Sequence, residues 1–176
     1  MGLGSNLGNK RSNLARACRL LEEGGVKVRR ASSLYRTQPV GYGKQPWFYN
    51  QALEVETSLS PFRLLAAAKN IERLLKREPT FRNGPRRIDI DILLAGKTVL
   101  LTRRLVIPHP RLAKRNFVLK PLGEIAPAVL HPILHESIEA LEVKSRDTSV
   151  VVRVRTRTPA GKGSSRTSAC RTPRRA

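Results

Sequence analysis

The chain has 176 residues and a mass of 19.6 kDa, which fits one domain. Apolar residues make up 40% of it, which excludes overall disorder, and no apolar run approaches the roughly 18 residues that span a bilayer. Lysine and arginine number 34 against 13 acidic residues, a formal net charge of +21. With two cysteines and no apolar leader segment, this composition predicts a cytoplasmic globular protein with anionic partners.

The predicted elements of the first half are two helices and two strands. Apolar residues at helical spacing and a stop at Gly24 define the first helix, and the cap-and-proline pair Ser60-Pro61 begins the second. Runs rich in β-branched residues, separated by a loop full of glycine and proline, define the strands. In chain order, we predict a helix from 14 to the glycines, strands over 26–37 and 50–57, and a helix over 61–76.

The second half has shorter predicted elements, which follow an arginine-rich loop over 76–87. Pro79 and the turn at Asn83-Gly84-Pro85 exclude regular structure from that loop. The elements after it are a strand over 88–94, a strand over 105–107, helices over 116–122 and 136–141, and a strand over 150–154. Because helices and strands do not alternate strictly, the predicted fold class is α+β with a largely antiparallel sheet.

The strand predicted over 88–94 carries two aspartates at alternate positions. Strand side chains alternate between faces, so Asp89 and Asp91 point the same way while Ile88, Ile90 and Ile92 face the core. Two carboxylates about 7 Å apart on one face repel each other unless a cation lies between them. Their hard oxygen atoms favour Mg²⁺, although a solvent-facing strand with ordinary acids carries the same pattern.

The loop before this strand adds positive charge beside the aspartates. Arg77, Arg82, Arg86 and Arg87 all lie shortly upstream of Asp89. Guanidinium groups bind phosphate oxygens in pairs, and together with a metal they suit a polyphosphate. A solvated basic loop is the ordinary alternative in so basic a chain. The acids and the arginines together indicate phosphoryl chemistry more than either set does alone.

An aromatic run, Trp47, Phe48 and Tyr49, precedes Asn50 at the mouth of the second predicted strand. Aromatic faces next to an amide suit a planar heterocycle, and a core patch is an equally good interpretation. His109, which lies between two prolines after an apolar strand, fits either a phosphate contact or a histidine held by backbone bonds. The residues alone leave both choices open.

Several motifs occur in an order that points to a family. They are Gly4-Ser-Asn-Leu-Gly8, Tyr35-Arg-Thr37, Gln45-Pro-Trp-Phe48 with Asn50, Ile71-Glu72, Gly84-Pro-Arg86 followed by Ile88-Asp89-Ile90-Asp91, Ile107-Pro-His109-Pro-Arg111, and Arg115 with Phe117. Over residues 3–145 the chain resembles the 6-hydroxymethyl-7,8-dihydropterin pyrophosphokinases. The resemblance implies a ferredoxin-like α/β sandwich with a largely antiparallel sheet. It also implies transfer of pyrophosphate from MgATP to the hydroxymethyl group of the pterin, with release of AMP, in folate biosynthesis.

The resemblance further implies roles for individual residues. Catalysis would fall to Arg77, Arg86, Asp89 and Asp91, and the two aspartates would hold two Mg²⁺ ions with ATP. The residues that would bind ATP are Lys69, Glu72, Arg77, Arg82, Arg86, Ile92, Arg104, Leu105, His109 and Arg115. The residues that would bind the pterin are Thr37, Val40, Phe48, Asn50 and Phe117, with the two phenylalanine rings on either side of the bicyclic ring.

The two ends of the chain carry separate expectations. Only Met1, Gly2 and Leu3 precede the first motif, so the first strand is expected to be truncated, with unpaired neighbours and a true start upstream. Residues 1–157 are expected to form the pyrophosphokinase domain. Residues 158–176, rich in arginine, glycine and serine, are expected to form a disordered basic tail.

Two other functions fit parts of the sequence. A basic nucleic-acid-binding protein would explain the charge of +21 and the arginine-rich tail, but not a pair of aspartates facing a phosphate backbone. The other is a truncated, inactive relative of the enzyme. The preferred interpretation is the enzyme itself, a monomer acting on ATP and the pterin with no membrane partner and with at most a secondary nucleic-acid contact through the tail.

Overall fold

The computed structural model describes residues 1–81 and 83–155, so that Arg82 and the predicted tail over 158–176 lie outside the described residues. The strands are β1 (Gly2–Ser5), β2 (Lys27–Ala31), β3 (Tyr35–Thr37), β4 (Phe48–Glu56), β5 (Asp89–Asp91), β6 (Leu100–Leu101), β7 (Val106–Ile107) and β8 (Val151–Arg153). The helices are α1 (Lys10–Glu23), α2 (Pro61–Leu74), α3 (Asn116–Ile125) and α4 (Ile138–Lys144), with a short 3-10 helix over Leu112–Lys114. In this part of the chain, no helix combines the length and the apolar character needed to cross a membrane.

The main sheet is antiparallel, with the strand order β5-β1-β4-β3-β8 and with β2 also paired to β4. β4 is the longest strand, and one of its edges pairs with two strands in succession while the other pairs with β1. At its start Phe48 lies opposite Thr37 of β3, and at its end Glu56 lies opposite Lys27 of β2. β6 and β7 form a separate hairpin. The described chain therefore has the α+β class and the antiparallel sheet that the sequence predicts.

The single strand predicted over 26–37 is wrong in one respect, because the structure divides it into β2 and β3. At the break, the Ser32 hydroxyl accepts a hydrogen bond from the Ala52 N–H over 2.9 Å and donates one to the Ser33 carbonyl over 2.8 Å. The Ser32 hydroxyl thus takes the place of a backbone carbonyl as the acceptor for a strand N–H, which interrupts the regular pairing of the two strands. The Ser33 N–H also turns away and donates to Glu124 on α3 over 3.1 Å.

The expectation that the first strand leaves its neighbours unpaired is also wrong. β1 pairs with β4 on one side and with β5 on the other, so that Gly4 lies opposite both Asn50 and Asp89. The Met1 amino group is buried and donates to the Leu53 carbonyl over 2.7 Å. Burial lowers the pKa of that amino group to about 5. β1 is therefore an interior strand whose backbone groups have partners on both sides.

The alternation predicted for β5 is confirmed. Ile88, Ile90 and Ile92 are buried in the core, whereas Asp89 and Asp91 are half-buried on the opposite face. The strand is shorter than the predicted 88–94, because its ladder with β1 ends at Asp91. One short strand thus carries core residues on one face and two carboxylates on the other.

The two faces of the sheet are covered by different helices. α1 and α2 pack on the face that holds the isoleucines, where Leu14, Leu21 and Ile71 are buried. α3 and α4 pack on the opposite face, around Leu119 and Ile138. Beside these last two helices, the part of that face over β1 and β5 forms the floor of a cleft.

Candidate active site

A cleft of about 290 Å³ lies over β1, β4 and β5, beside the first turns of α3. Its floor consists of residues that alternate with core residues along these strands. Asp89, Gly4 and Asn50 form one row across the three strands, and Gly2 lies beside Asp91 in the next row. Because glycines occupy both β1 positions, no side chain from the central strand separates the aspartates from Asn50.

The aspartates lie at one end of the cleft, together with two arginines. Asp89 accepts hydrogen bonds from Arg77 over 2.5 Å and from Arg86 over 2.9 Å. Burial and the neighbouring charge of Asp89 raise the pKa of Asp91 to about 6. The elevated pKa means that a second negative charge is costly here, so that this end of the cleft favours an added cation.

Glu72 lies behind the aspartates and fixes the surrounding elements. Its side chain is 5% exposed, and its Oε1 accepts from the Ile90 N–H over 2.8 Å, which attaches α2 to β5. The same carboxylate pairs with Arg77 over 2.5 Å and with Lys69 over 3.0 Å. Burial alone would lower the pKa of Arg77, but Asp89 and Glu72 outweigh it and raise that pKa. Glu72 therefore positions two cations rather than facing the cleft itself.

Further positive groups line the wall that leads into α3. Burial and the charges of Arg115 and Arg111 lower the pKa of His109 to about 4, so its imidazole is neutral near pH 7. His109 Nδ1 accepts from the Arg111 N–H over 3.2 Å, which leaves Nε2 to carry the proton and to donate. Burial and Arg111 likewise lower the pKa of Arg115. Positive groups at this density indicate an anionic ligand.

The other end of the cleft is apolar and aromatic. Phe48, Phe117 and Val40 line it, beside the buried side chains of Asn50 and Thr37. Asn50 Nδ2 donates to Thr37 Oγ1 over 2.6 Å, a bond that fixes the orientation of the amide. An aromatic wall with a single oriented amide suits a planar ring with hydrogen-bonding edges.

The residues of the aromatic run do not all have the same role, because one faces the cleft and another packs in the core. Phe48 faces the cleft, as a ring-binding site requires. Tyr49, the next residue, packs against the hydrophobic core on the other face of the sheet. Trp47 stacks with Arg36, whose guanidinium carbon lies 4.5 Å from the centre of the indole ring.

Asn6 joins the two loops that border the cleft. Its Nδ2 donates to Gln45 Oε1 over 2.9 Å and to the Pro46 carbonyl over 3.0 Å, and its Oδ1 accepts from the Arg86 N–H over 2.7 Å. Gln45 Nε2 then donates to the Asn83 carbonyl over 2.8 Å. Asn6 itself is buried, and these partly buried bonds hold the arginine loop against the loop before β4.

Most of the sequence-predicted site residues line this one cleft. They are Thr37, Val40, Phe48, Asn50, Lys69, Arg77, Arg86, Asp89, Asp91, His109, Arg115 and Phe117. The side chains of Ile92 and Leu105 instead belong to the core, Arg104 is exposed, and none of the three lines the cleft. Arg82 lies outside the described residues.

Sequence reasoning missed several residues that shape the cleft. Gly2, Gly4 and Arg111 line it, and Asn6 holds its loops, yet none of them was predicted as a site residue. The signal was present in part, because Gly4 and Asn6 belong to the first family-like motif and Arg111 ends the Pro-His-Pro-Arg motif. What each does depends on strands and loops that are distant in sequence.

The acidic end of the cleft fits Mg²⁺ that is coordinated partly by the protein and partly by a bound phosphate compound. Among residues 1–81 and 83–155, no three His, Cys, Asp or Glu side chains gather into a metal-binding cluster. Mg²⁺ typically takes one or two carboxylates and completes its shell with water and substrate phosphates. Asp89 and Asp91 supply that number of carboxylates on one face of β5. Arg86 Nε, which is buried and has no acceptor in the described part of the chain, is a free donor for such a phosphate.

Fold and cleft together define a class of protein, an α+β domain whose site suits a metal-bound polyphosphate at one end and a planar ring at the other. Residues 1–127 match the model of the 7,8-dihydro-6-hydroxymethylpterin-pyrophosphokinase (HPPK) family. The chain belongs to this family of diphosphotransferase enzymes. A nucleic-acid-binding protein is therefore not favoured.

Individual relatives agree with this assignment. The chain is 45% identical over 130 residues to the 2-amino-4-hydroxy-6-hydroxymethyldihydropteridine pyrophosphokinase of Bacillus subtilis, over 73% of this chain and 78% of that protein. It is 46% identical over 125 residues to the mitochondrial folate synthesis bifunctional protein of Arabidopsis thaliana, over 71% of this chain but 23% of that protein. The structure of wild-type Plasmodium falciparum HPPK-DHPS with STZ-DHP has a TM-score of 0.67 at 19% identity, over 81% of this chain and 42% of that chain, and shares the fold.

Proposed function

We propose that this chain transfers the pyrophosphate group of MgATP to the hydroxymethyl group of 6-hydroxymethyl-7,8-dihydropterin in folate biosynthesis. The observation that carries the proposal is the single cleft, with Asp89, Asp91 and their arginines at one end and Phe48 with Asn50 at the other. The hydroxymethyl oxygen attacks the β-phosphorus, whose bond to the bridging α-phosphate oxygen breaks. AMP leaves, and the hydroxyl proton is released.

Asp89 and Asp91 are proposed to hold two Mg²⁺ ions together with ATP. The metal, when bound, neutralises charge on the phosphates and makes the β-phosphorus more electrophilic. Support comes from the position of both carboxylates on one half-buried face and from the pKa of Asp91, which burial and Asp89 raise to about 6. Neither carboxylate is needed to fill the core.

The positive groups are proposed to bind and orient the phosphates. Arg77 and Arg86 pair with Asp89, and each binds phosphate oxygens of ATP through its remaining N–H groups. Neutral His109 donates from Nε2, and Arg115 adds charge from the same wall. An ATP contact by Lys69, which lines the cleft, is a proposal of the same kind. The ATP contacts of Glu72, Arg82, Ile92, Arg104 and Leu105 stay predictions.

The aromatic end is proposed to bind the pterin. Phe48 and Phe117 offer ring faces, and Asn50, oriented by Thr37, offers its amide to the polar edge of the heterocycle. Val40 also lines this pocket. Buried and oriented polar groups of this kind discriminate strongly against a ring that lacks the matching edge.

Replacing Gly4 by alanine is expected to raise the KM for the pterin about tenfold and to change the KM for ATP much less. A Cβ atom at Gly4 would lie 2.7 Å from Asn50 Oδ1, so the amide would have to leave the position that Thr37 fixes. Steady-state kinetics with each substrate varied in turn measure the effect. Gly43→Ala is the matched control, because a Cβ there meets no atom within 4 Å. An unchanged KM for the pterin would contradict the assigned role of Asn50.

The sheet order further supports the ferredoxin-like arrangement that the resemblance implies. β1-α1-β2/β3-β4-α2-β5 follows a strand–helix–strand pattern repeated twice, and the sheet order β5-β1-β4-β3 places the first and fourth strands at its centre. We propose this classification, together with a monomer that acts in the cytoplasm, where Cys18 stays a free thiol. Sedimentation of the purified chain tests the oligomeric state.

One assay tests the proposed function. The purified chain is incubated with ATP, Mg²⁺ and 6-hydroxymethyl-7,8-dihydropterin, and AMP and the pterin diphosphate are measured by chromatography. The expected result is equimolar formation of both products, which depends on the pterin and stops with EDTA. Slow release of ADP and phosphate alone would contradict the proposal. If there is no turnover but RNA binding is tight and salt-sensitive, the nucleic-acid alternative is favoured. If there is neither turnover nor such binding, the chain is an inactive relative of the enzyme.

Deleting residues 158–176 is expected to leave the rate of AMP formation within about twofold of the full chain. We propose that residues 1–157 form the catalytic domain, because every described residue that lines the cleft lies before 122 and β8 ends at Arg153. The truncation should weaken retention on heparin, since arginines leave with the segment. A large loss of turnover would show that the segment belongs to the domain.

A further inference from the structure

α3 carries part of the cleft but has no N-terminal cap of its own. Phe117 and Val118 line the cleft from its first turn, and Arg115, the residue before the helix, lines it as well. Arg115 occupies the N-cap position, yet its side chain makes no capping hydrogen bond. The first N–H groups of a helix lack partners within it, so this turn needs an acceptor from elsewhere.

Asp147 supplies that acceptor from a segment 31 residues further along the chain. Its Oδ2 accepts from the Asn116 N–H over 2.7 Å, and its backbone carbonyl accepts from Asn116 Nδ2 over 2.6 Å. Its Oδ1 accepts from the Ser149 N–H over 2.9 Å, so both carboxylate oxygens are engaged. Burial alone would raise the pKa of Asp147, but the hydrogen bonds from Ser149 and Asn116 outweigh it and hold that pKa below its usual value.

The same segment also braces the other wall of the cleft. The Val150 carbonyl accepts from the Gln38 N–H over 3.0 Å, and Val151 lies opposite Thr37 in the pairing of β8 with β3. Thr37 and Gln38 both line the cleft. This segment lies beyond residues 1–127, the part of the chain that the family model matches.

We infer that Asp147 is a positioning residue of the active site, which acts through Asn116 to hold Arg115 and Phe117 in place for ATP and the pterin. The inference rests on the proposed function of the cleft. Asp147 itself does not line the cleft, so it contacts neither substrate. Its carboxylate sets the direction of the first turn of α3, and a negative charge at a helix N-terminus is itself favourable.

If Asp147 only stabilised the fold, its loss would lower the melting temperature and leave both KM values unchanged. α4 begins at a comparable cap, where Ser137 Oγ accepts from the Ala140 N–H over 3.1 Å, but no side chain of α4 lines the cleft. Ser137→Ala therefore removes a helix cap without touching a wall of the site. Both changes should lower the melting temperature, and only the loss of Asp147 should change substrate binding.

The test compares Asp147→Ala, Asp147→Asn and Ser137→Ala in the full chain by melting temperature and by steady-state kinetics. Asp147→Ala is expected to raise the KM for ATP and for the pterin about tenfold with kcat little changed, because Arg115 and Phe117 bind ground and transition states alike. Asp147→Asn, with one acceptor oxygen for two donors, should raise both KM values about threefold. Ser137→Ala should leave them unchanged.

Each outcome decides between the two roles. Equal KM values in the parent and in either Asp147 variant overturn the inference, as does an equal rise in Ser137→Ala. If Asp147→Ala does not fold, the Asp147→Asn comparison alone supports or overturns it. A parent chain that forms no AMP refutes the proposed function instead, so the two failures are distinguishable.

Discussion

Changing Asp91 to alanine is expected to lower kcat for AMP formation about a thousandfold and to leave the fold intact. The carboxylate faces the cleft on β5, while the neighbouring Ile90 and Ile92 hold the strand in the core. Burial and Asp89 raise the pKa of Asp91, which shows that its charge is unfavourable in the chain without ligand. The melting temperature of Asp91→Ala without Mg²⁺ should therefore equal or exceed that of the parent.

Asp89→Ala is expected to lower kcat about as much as Asp91→Ala does, but to have the opposite effect on the melting temperature. Asp89 pairs with both Arg77 and Arg86, and only Arg77 keeps a second carboxylate, that of Glu72. Its loss leaves Arg86 without this partner, so the melting temperature should fall rather than rise. Glu56→Ala, which removes an exposed acid from β4, is the control. Turnover within a few-fold of the parent in either aspartate variant would refute the metal assignment.

Replacing Arg86 by lysine is expected to lower kcat/KM about a hundredfold, although the charge is retained. The guanidinium combines a bond to Asp89 over 2.9 Å with a position 5.6 Å from the centre of the Phe48 ring, and it keeps Nε free for a phosphate. A lysine has one ammonium group, which cannot meet these three demands at once.

The measurement for Arg86 should separate chemistry from folding. The backbone N–H and carbonyl of Arg86 bond to Asn6, and these bonds do not depend on the side chain. The melting temperature of Arg86→Lys should therefore stay close to that of the parent. Arg16→Lys, an exposed change on α1, is the matched control. A kcat/KM within threefold of the parent would remove Arg86 from the proposed catalytic residues.

Local patterns were enough to predict the acidic end of the site. The strand period alone placed Asp89 and Asp91 on one face and the isoleucines on the other, and the structure agrees. The same reasoning joined β2 to β3, because propensity along 26–37 contains no sign of the break at Ser32. That break depends on Ala52, whose N–H bonds to the Ser32 hydroxyl from a strand that lies 20 residues away in sequence.

The remaining parts of the site depend on contacts that no local pattern contains. Gly4 matters because the strand order places it between Asp89 and Asn50. Asp147 matters because its segment returns to α3. A motif match assigned Leu105 to ATP, but its burial in the core shows that a matched position need not present its side chain to the cleft.

The alternation of residues along the strands of the floor has a consequence for how this protein tolerates mutation. On β1, Leu3 is part of the hydrophobic core cluster, whereas Gly2 and Gly4 line the cleft and are not part of that cluster. On β4, Leu53 belongs to the core while Asn50 belongs to the cleft.

A library of single substitutions can be scored separately for cellular abundance and for rescue of growth without folate. Along these strands, each score should change at every second residue, and the residues that affect abundance should alternate with those that affect growth. Odd positions of β1 should reduce abundance, and even positions should reduce growth at normal abundance. Selection for a more stable enzyme and selection for a new substrate would then act on interleaved and largely separate sets of codons, and each could change with little cost to the other.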